Sequence, residues 1–326
     1  MFTPVLCCFI IIYTLQQLVF TSPIESEDVI DVIDLSHLGA RLYGKPDYNF
    51  GKEFNTININ DNPEEKGPYL EGDLLMLQNL SRNGMKNEVL RWKGGEIPYI
   101  IRGKFNTNEM NVIQNAFNQY HRQTCIKFIP RRPSHSDYIV IENAQSGCWS
   151  SVGRISGEQK VNLQSPGCVT KTGTVVHELL HVLGFLHEQN REDRDKFVKI
   201  IEGNIRNGYE VNFKKAESGE TSSFGVAYDY GSVLHYSANA FSKNGNPTIE
   251  ARMKTSEKMG QREGFSKKDI EKVNKMYKCQ KTTAEEDPDI MTSTIGPPSQ
   301  SPSIFGNILE ILFPTSSMDE EEMIDV

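Results

Sequence analysis

The sequence predicts an α+β domain over residues 83–279, on three observations. Short runs of β-forming residues alternate with two long helical patterns in its first half. One of those helices carries a histidine-rich stretch that ends on a glycine, His177-Glu178-Leu179-Leu180-His181-Val182-Leu183-Gly184-Phe185-Leu186-His187-Glu188. The second half is rich in Gly, Asn, Ser and charge with little periodicity, until a last amphipathic helix closes the domain.

Taken in order, residues 97–101 (Ile-Pro-Tyr-Ile-Ile) read as a strand. Residues 107–124 read as a helix with Thr107 as N-cap and Met110, Ile113, Phe117 and Tyr120 on one face. Ile126 to Ile129, Tyr138 to Ile141 and the alternating residues 160–164 read as further strands. Gly173 to Gly184 reads as the histidine-bearing helix. Over residues 190–265 the expectation is loops, with a short helix near Ile200–Ile205. Ser266 to Cys279 reads as the final helix, capped by Ser266 with Asp269 at the third position, and with Ile270, Val273 and Tyr277 sharing a face.

The histidine stretch carries the chemistry. His177 and His181 stand four residues apart, so they project from one face of a helix, one turn apart. Two imidazoles so placed can bind one metal ion, and Glu178 between them can hold a water against it. On an unbroken helix His187 would lie ~15 Å beyond His177, outside any shared coordination sphere. A glycine in the left-handed conformation at Gly184 would fold the chain back and bring His187 round as third ligand. Three neutral imidazoles suit one zinc ion with an open position. Glu178 is then the candidate general base. A buried apolar helix with incidental polar residues is the competing reading; the added glycine and third histidine weigh against it.

Composition bounds the rest. At 326 residues with 37% hydrophobic residues, the chain can bury a real core. Its net charge of −8 hides a basic centre. Residues 280–326 hold ten acids against one base, and residues 23–82 hold twelve against five, whereas residues 83–279 carry a surplus of bases. Acidic proteins or sulfated glycans are plausible partners for that centre. No nucleic-acid partner is expected. Residues 1–22 read as a secretory signal, with an apolar run from Val5 to Tyr13 too short to span a bilayer; an uncleaved anchor is the alternative. No other segment approaches membrane-spanning length. Beyond the signal stand four cysteines, Cys125, Cys148, Cys168 and Cys279, an even number that suggests two disulfides with three possible pairings. Asn79-Leu80-Ser81 is a glycosylation sequon in a polar region, 23–82, that reads as a propeptide with a possible strand at Ile57–Ile59 and a tryptic-type cleavage point at Arg82. Residues 280–326 read as a disordered acidic tail.

The histidine stretch resembles the metzincin zinc motif, and the glutamate after the third histidine marks the astacin family within it. The resemblance extends to Cys148-Trp149-Ser150-Ser151-Val152-Gly153-Arg154 before the helix and Arg191-Glu192-Asp193-Arg194-Asp195 after it. Ile97-Pro98-Tyr99, Tyr228-Asp229-Tyr230 and Gly260-Gln261-Arg262 also fit, so that about 83–279 is covered. It implies two subdomains flanking a cleft: an upper one with a mixed sheet and two long helices, and a mostly irregular lower one with a C-terminal helix. It also implies disulfides Cys125–Cys279 and Cys148–Cys168.

By the same resemblance His177, His181 and His187 bind one zinc ion, Glu178 is the general base, and Tyr236 is a switchable tyrosine that ligates zinc at rest and supports the transition state. Leu70-Glu71-Gly72-Asp73 resembles the family's propeptide motif, in which Asp73 would fill the metal's open position in a zymogen. A thiolate switch is excluded, since no cysteine lies between Cys8 and Cys125. Cleavage after Arg82 by a trypsin-like protease would free Asn83, whose amino group would be buried near Glu188. Trp92 stands where the family's tryptophan would be. Leu234 replaces the methionine usual beneath the metal, a swap of similar volume that is expected to cost under ~1.5 kcal/mol.

The implied function is that of a secreted zinc metalloendopeptidase acting on extracellular proteins, resembling hatching-enzyme-like members but without their extra amino-terminal cysteine pair. A catalytically silent secreted binding protein on the same scaffold is the alternative. Retention of His177, Glu178, His181, His187 and Tyr236 disfavours it.

Overall fold

A five-stranded mixed sheet and two helices form the upper part of the domain in the computed structural model of the chain, which describes residues 45–54, 61–75, 90–216 and 222–280. The strands are β1 (Glu96–Ile101), β2 (Lys127–Pro130), β3 (Tyr138–Glu142), β4 (Cys148–Ser150) and β5 (Glu158–Leu163), in the order β2-β1-β3-β5-β4. β1 runs parallel to β2 and β3, and β3 parallel to β5; β4 alone is antiparallel, at the edge beside β5. Ile139, Val140 and Ile141 of central β3 are all buried, the continuous apolar run of a strand covered on both faces. β4 is not legible as a strand in the sequence, because three residues show no period.

A short helix, α1 (Tyr48–Phe54), precedes the sheet, and α2 (Thr107–Gln123) crosses it. The cap of α2 is Asn106, not Thr107. Asn106 Oδ1 accepts the Glu109 N–H at 3.1 Å while the Glu109 carboxylate accepts the Asn106 N–H at 2.8 Å. This reciprocal pair satisfies two N–H groups, which a threonine at the next position would not have done. The buried face of α2, Ile113, Ala116, Phe117 and Tyr120, joins Phe128 of β2. The Tyr120 hydroxyl donates to the carbonyl of Val176 at 2.8 Å, tying α2 to the histidine helix α3 (Thr172–Leu183).

The lower part holds single 3₁₀ turns and a two-stranded antiparallel ribbon, β6 (Val198–Ile200) with β7 (Ile249–Ala251). The short helix expected near Ile200–Ile205 is a single 3₁₀ turn at Glu202–Asn204, and strand β6 before it ends at Ile200. Val198 is buried and Lys199 exposed, a period of two that the surrounding polar sequence obscures. A separate aromatic cluster around Phe213, Tyr228, Tyr230, Tyr236 and Phe241 packs this part. Helix α4 (Lys267–Met276) starts at the expected Ser266–Asp269 capping box and sends Val273 and Met276 into the upper core. Both disulfides pair as the resemblance implied, Cys125–Cys279 and Cys148–Cys168.

Residues 61–75 run through the cleft between these parts. Leu74 bridges Ser150 in parallel, and the Ser150 N–H donates to the Asp73 carbonyl at 3.0 Å, so the segment pairs with edge strand β4. The expected strand at Ile57–Ile59 lies outside the described residues, as do the signal and the tail.

Candidate metal centre

Helix α3 places the first two histidines. Val175, Val176, Leu179, Leu180, Val182 and Leu183 bury the helix on all sides, and His177, Glu178 and His181 are buried with them. Gly184 ends it in the left-handed region at φ 107°, and its N–H is taken up by carbonyls of the last turn. That is the conformation a β-carbon disfavours, and it turns His187 back towards His177. The Nε2 atoms of His177 and His181 are 3.1 Å apart, and those of His177 and His187 are 3.3 Å apart.

The fourth donor comes from the cleft segment. Asp73 Oδ2 lies 2.8, 3.6 and 3.3 Å from the Nε2 atoms of His177, His181 and His187. All four atoms lie within 4.8 Å of one another and are buried. Donors placed about 2.0–2.1 Å from a shared zinc ion form a tetrahedron with edges of about 3.3–3.4 Å, so the donor set fits zinc. The orphaned polar atoms agree. Both carboxylate oxygens of Glu178 are buried without a hydrogen-bond partner among the described residues. Burial, and after it the negative charge of Asp73, pushes the Glu178 carboxyl well above its ordinary range. Burial likewise pulls His177 down to about 4, which favours the neutral imidazole that a metal needs.

Each ligand histidine has its outer nitrogen held. His177 Nδ1 donates to the Val233 carbonyl at 2.8 Å and His181 Nδ1 to the Phe185 carbonyl at 2.7 Å. His187 Nδ1 instead faces Glu71 Oε2 at 2.8 Å, a carboxylate of the cleft segment. These bonds leave the three Nε2 atoms bare for the metal. Gly72, at φ 92°, lets the chain turn between Glu71 and Asp73; a β-carbon there would stand 2.7 Å from the Glu64 carbonyl oxygen.

Residues 84–278 match the peptidase family described as Astacin. The chain belongs to the astacin family. It is 41% identical over 233 residues to the zinc metalloproteinase nas-4 of Caenorhabditis elegans, covering 68% of this chain and 73% of that one. With nas-13 of the same organism it shares 42% over 214 residues, 66% of this chain and 47% of the relative. The chain thus spans about half the length of some relatives it matches. Among solved structures it resembles high choriolytic enzyme 1, a hatching enzyme zinc-protease from Oryzias latipes. The TM-score is 0.54 at 35% identity, over 58% of this chain and 94% of that one.

Of the other expected site residues in this astacin-family chain, Tyr236, Leu234 and Glu188 are all buried. The Tyr236 ring packs on His187, centroids 4.7 Å apart, and its hydroxyl donates to the Glu71 carbonyl. Leu234 is buried in the upper core beside Val233, and its carbonyl accepts the Glu188 N–H at 3.2 Å. Glu188 is buried and already paired. Lys272 Nζ lies 2.7 Å from Oε2, while Arg191 and the Asp229 N–H contact Oε1 at 3.0 and 2.9 Å. Burial alone would lower the Lys272 pKa, but Glu188 and Asp269 hold it above its ordinary value. Trp92 is buried, and its indole N–H donates to the Val182 carbonyl at 2.9 Å, near the end of α3. Asn79, Arg82 and Asn83 lie outside the described residues.

Sequence reasoning missed several partners. Lys272 sits on the last helix without any mark of burial, and Glu71 is only a spacer within its motif. Buried Arg262 ion-pairs with Glu64 of the cleft segment, and Glu65 accepts the Ser237 N–H at 2.7 Å. Two adjacent acids in a polar segment carry no signal that they are buried. The clue available was the arginine of Gly260-Gln261-Arg262, which forms part of the family resemblance.

Proposed function

We propose that this chain is a secreted zinc endopeptidase of extracellular proteins, made as a zymogen that residues 23–82 silence. The observation that carries this reading is the fourth position of the metal centre: Asp73 Oδ2 stands where an attacking water would have to be. Zinc, when bound, would acidify a water and polarise the scissile carbonyl. The protein's own residues do the rest. His177, His181 and His187 hold the ion, the first two fixed through their outer nitrogens by the carbonyls of Val233 and Phe185. Glu178, whose oxygens have no hydrogen-bond partner among the described residues, takes the proton of the attacking water and passes it to the leaving amine. Tyr236, released from Glu71, becomes a hydrogen-bond donor for the developing oxyanion. Release follows cleavage after Arg82 by a trypsin-like protease. The signal at 1–22 and the sequon at Asn79 support an extracellular setting, and the hatching-enzyme neighbour supports protein substrates.

The test uses the full chain before and after limited trypsin treatment. Peptide hydrolysis should appear only after treatment and vanish with a chelator. Glu178→Ala should keep zinc while losing about 10²–10⁴-fold in kcat. Asp73→Ala should be active without trypsin. A treated protein that holds zinc and cleaves no peptide library would favour a silent binding scaffold.

A further inference from the structure

The cleft segment meets the domain through its main chain as well as its side chains, and Glu71 is where it does so beside the metal. Its N–H donates to Asn212 Oδ1 at 3.0 Å and its carbonyl takes the Tyr236 hydroxyl. Asn212 is fully buried, yet its Nδ2 has no hydrogen-bond partner among the described residues. The Glu71 N–H fixes which end of the amide is which, because only the oxygen can accept. A buried amide donor left unpaired costs about 1–3 kcal/mol, so a purely structural asparagine is a poor account of it. The residue is also held firmly in place. Asn190 Nδ2 donates to its carbonyl at 2.9 Å, and Arg194 donates to the carbonyl of Phe213 at 2.8 Å. The Phe213 ring packs edge-on against Tyr236, with centroids 5.7 Å apart.

We propose that Asn212 binds the main chain of the peptide substrate, with Oδ1 accepting an N–H and Nδ2 donating to a carbonyl. The proposal rests on the peptidase reading above. Departure of the cleft segment leaves Asn212 with an acceptor and a donor, both anchored beside Tyr236 and the ligand histidines. A peptide main chain, which alternates N–H and C=O groups, complements both. Such contacts read the peptide backbone and not its side chains. They form in the ground state and persist in the transition state, so they act on KM more than on kcat.

The experiment uses trypsin-treated full chain as parent, Asn212→Ala and Asn212→Asp; the aspartate keeps size and acceptor but loses the donor. Zinc content and melting temperature report whether each variant is folded. Asn212→Ala should raise KM about tenfold with kcat unchanged, the equivalent of about one hydrogen bond, and Asn212→Asp should lie between. A second arm measures binding of a peptide of residues 68–75 and of its ester analogue, in which oxygen replaces the Glu71 N–H. The ester should bind the parent more weakly than the amide does, with no such difference in Asn212→Ala. An unchanged KM in folded, zinc-loaded Asn212→Ala overturns the proposal. So does a loss confined to kcat, or an equal ester effect in both proteins. If the parent cleaves nothing, the peptidase reading fails by itself, while the peptide arm still shows whether Asn212 binds a peptide main chain.

Discussion

His187 differs from the other two ligand histidines in what holds its outer nitrogen. Val233 and Phe185 belong to the family-matched domain, whereas Glu71 belongs to the cleft segment that precedes it. Outer partners of metal-bound histidines typically govern about 10–100-fold in affinity. Glu71→Ala in the uncleaved chain should therefore release zinc to a chromogenic chelator at least about tenfold faster than the parent. Leu234→Met is expected to do little, because the position is buried among apolar residues and the two side chains are similar in volume. Its melting temperature and kcat/KM should match the parent; recovery of turnover by this change in an otherwise inactive protein would refute the expectation. At this scale the sequence marked the three histidines, Glu178 and Tyr236, and the structure brings those histidines together with Asp73. The sequence could not disclose Asn212 or Lys272. An asparagine in a loop and a lysine in a helix have many ordinary uses, and only the fold brings these two to buried carboxylates and main-chain groups.

Helix α3 works because it stops. A β-carbon at Gly184 would meet Met276 Cε at 3.1 Å, a flexible tip that can move aside. The larger penalty of Gly184→Ala is the left-handed backbone itself, about 1–3 kcal/mol. The variant should melt at lower temperature, and its zinc affinity should fall further than Val182→Ala lowers it, because the turn sets His187. Equal zinc affinity in the two variants would show that the turn does not depend on the glycine. Elements with a strong period were evident in advance: β1, α2, α3 and α4 begin and end close to the expected residues. The failures are short or masked by composition. The three-residue strands β4 and β6 gave no usable pattern, and the cap of α2 moved by one residue because asparagine and glutamate close a reciprocal pair.

On the scale of the whole molecule, the two disulfides do unequal work. Cys125–Cys279 joins residues 154 apart, from the end of α2 to the end of the domain, while Cys148–Cys168 spans 20. Loop-closure entropy assigns about 5 and about 3 kcal/mol to loops of those sizes. Paired serine replacements should lower stability in that order, as measured by denaturant unfolding of the uncleaved chain. The two-part architecture and both pairings came from the family resemblance, since spacing alone allowed three pairings. The path of residues 61–75 through the cleft was only partly foreseeable: Asp73 could be placed, but Glu64, Glu65 and Glu71 required the domain to be folded around them. The Glu188–Lys272 pair bears on the proposed activation. Its carboxylate already has two cationic partners, Lys272 and Arg191, although Lys272 is shared with Asp269 and Arg191 with Asp193. On the proposed activation, a new amino group would join a carboxylate that already has cationic partners, so activity is expected to tolerate a cut one residue away. Mature chains that begin one residue before or after Asn83 should turn over peptide as fast as one that begins there. In Lys272→Met chains, by contrast, activity should become sensitive to that one-residue difference.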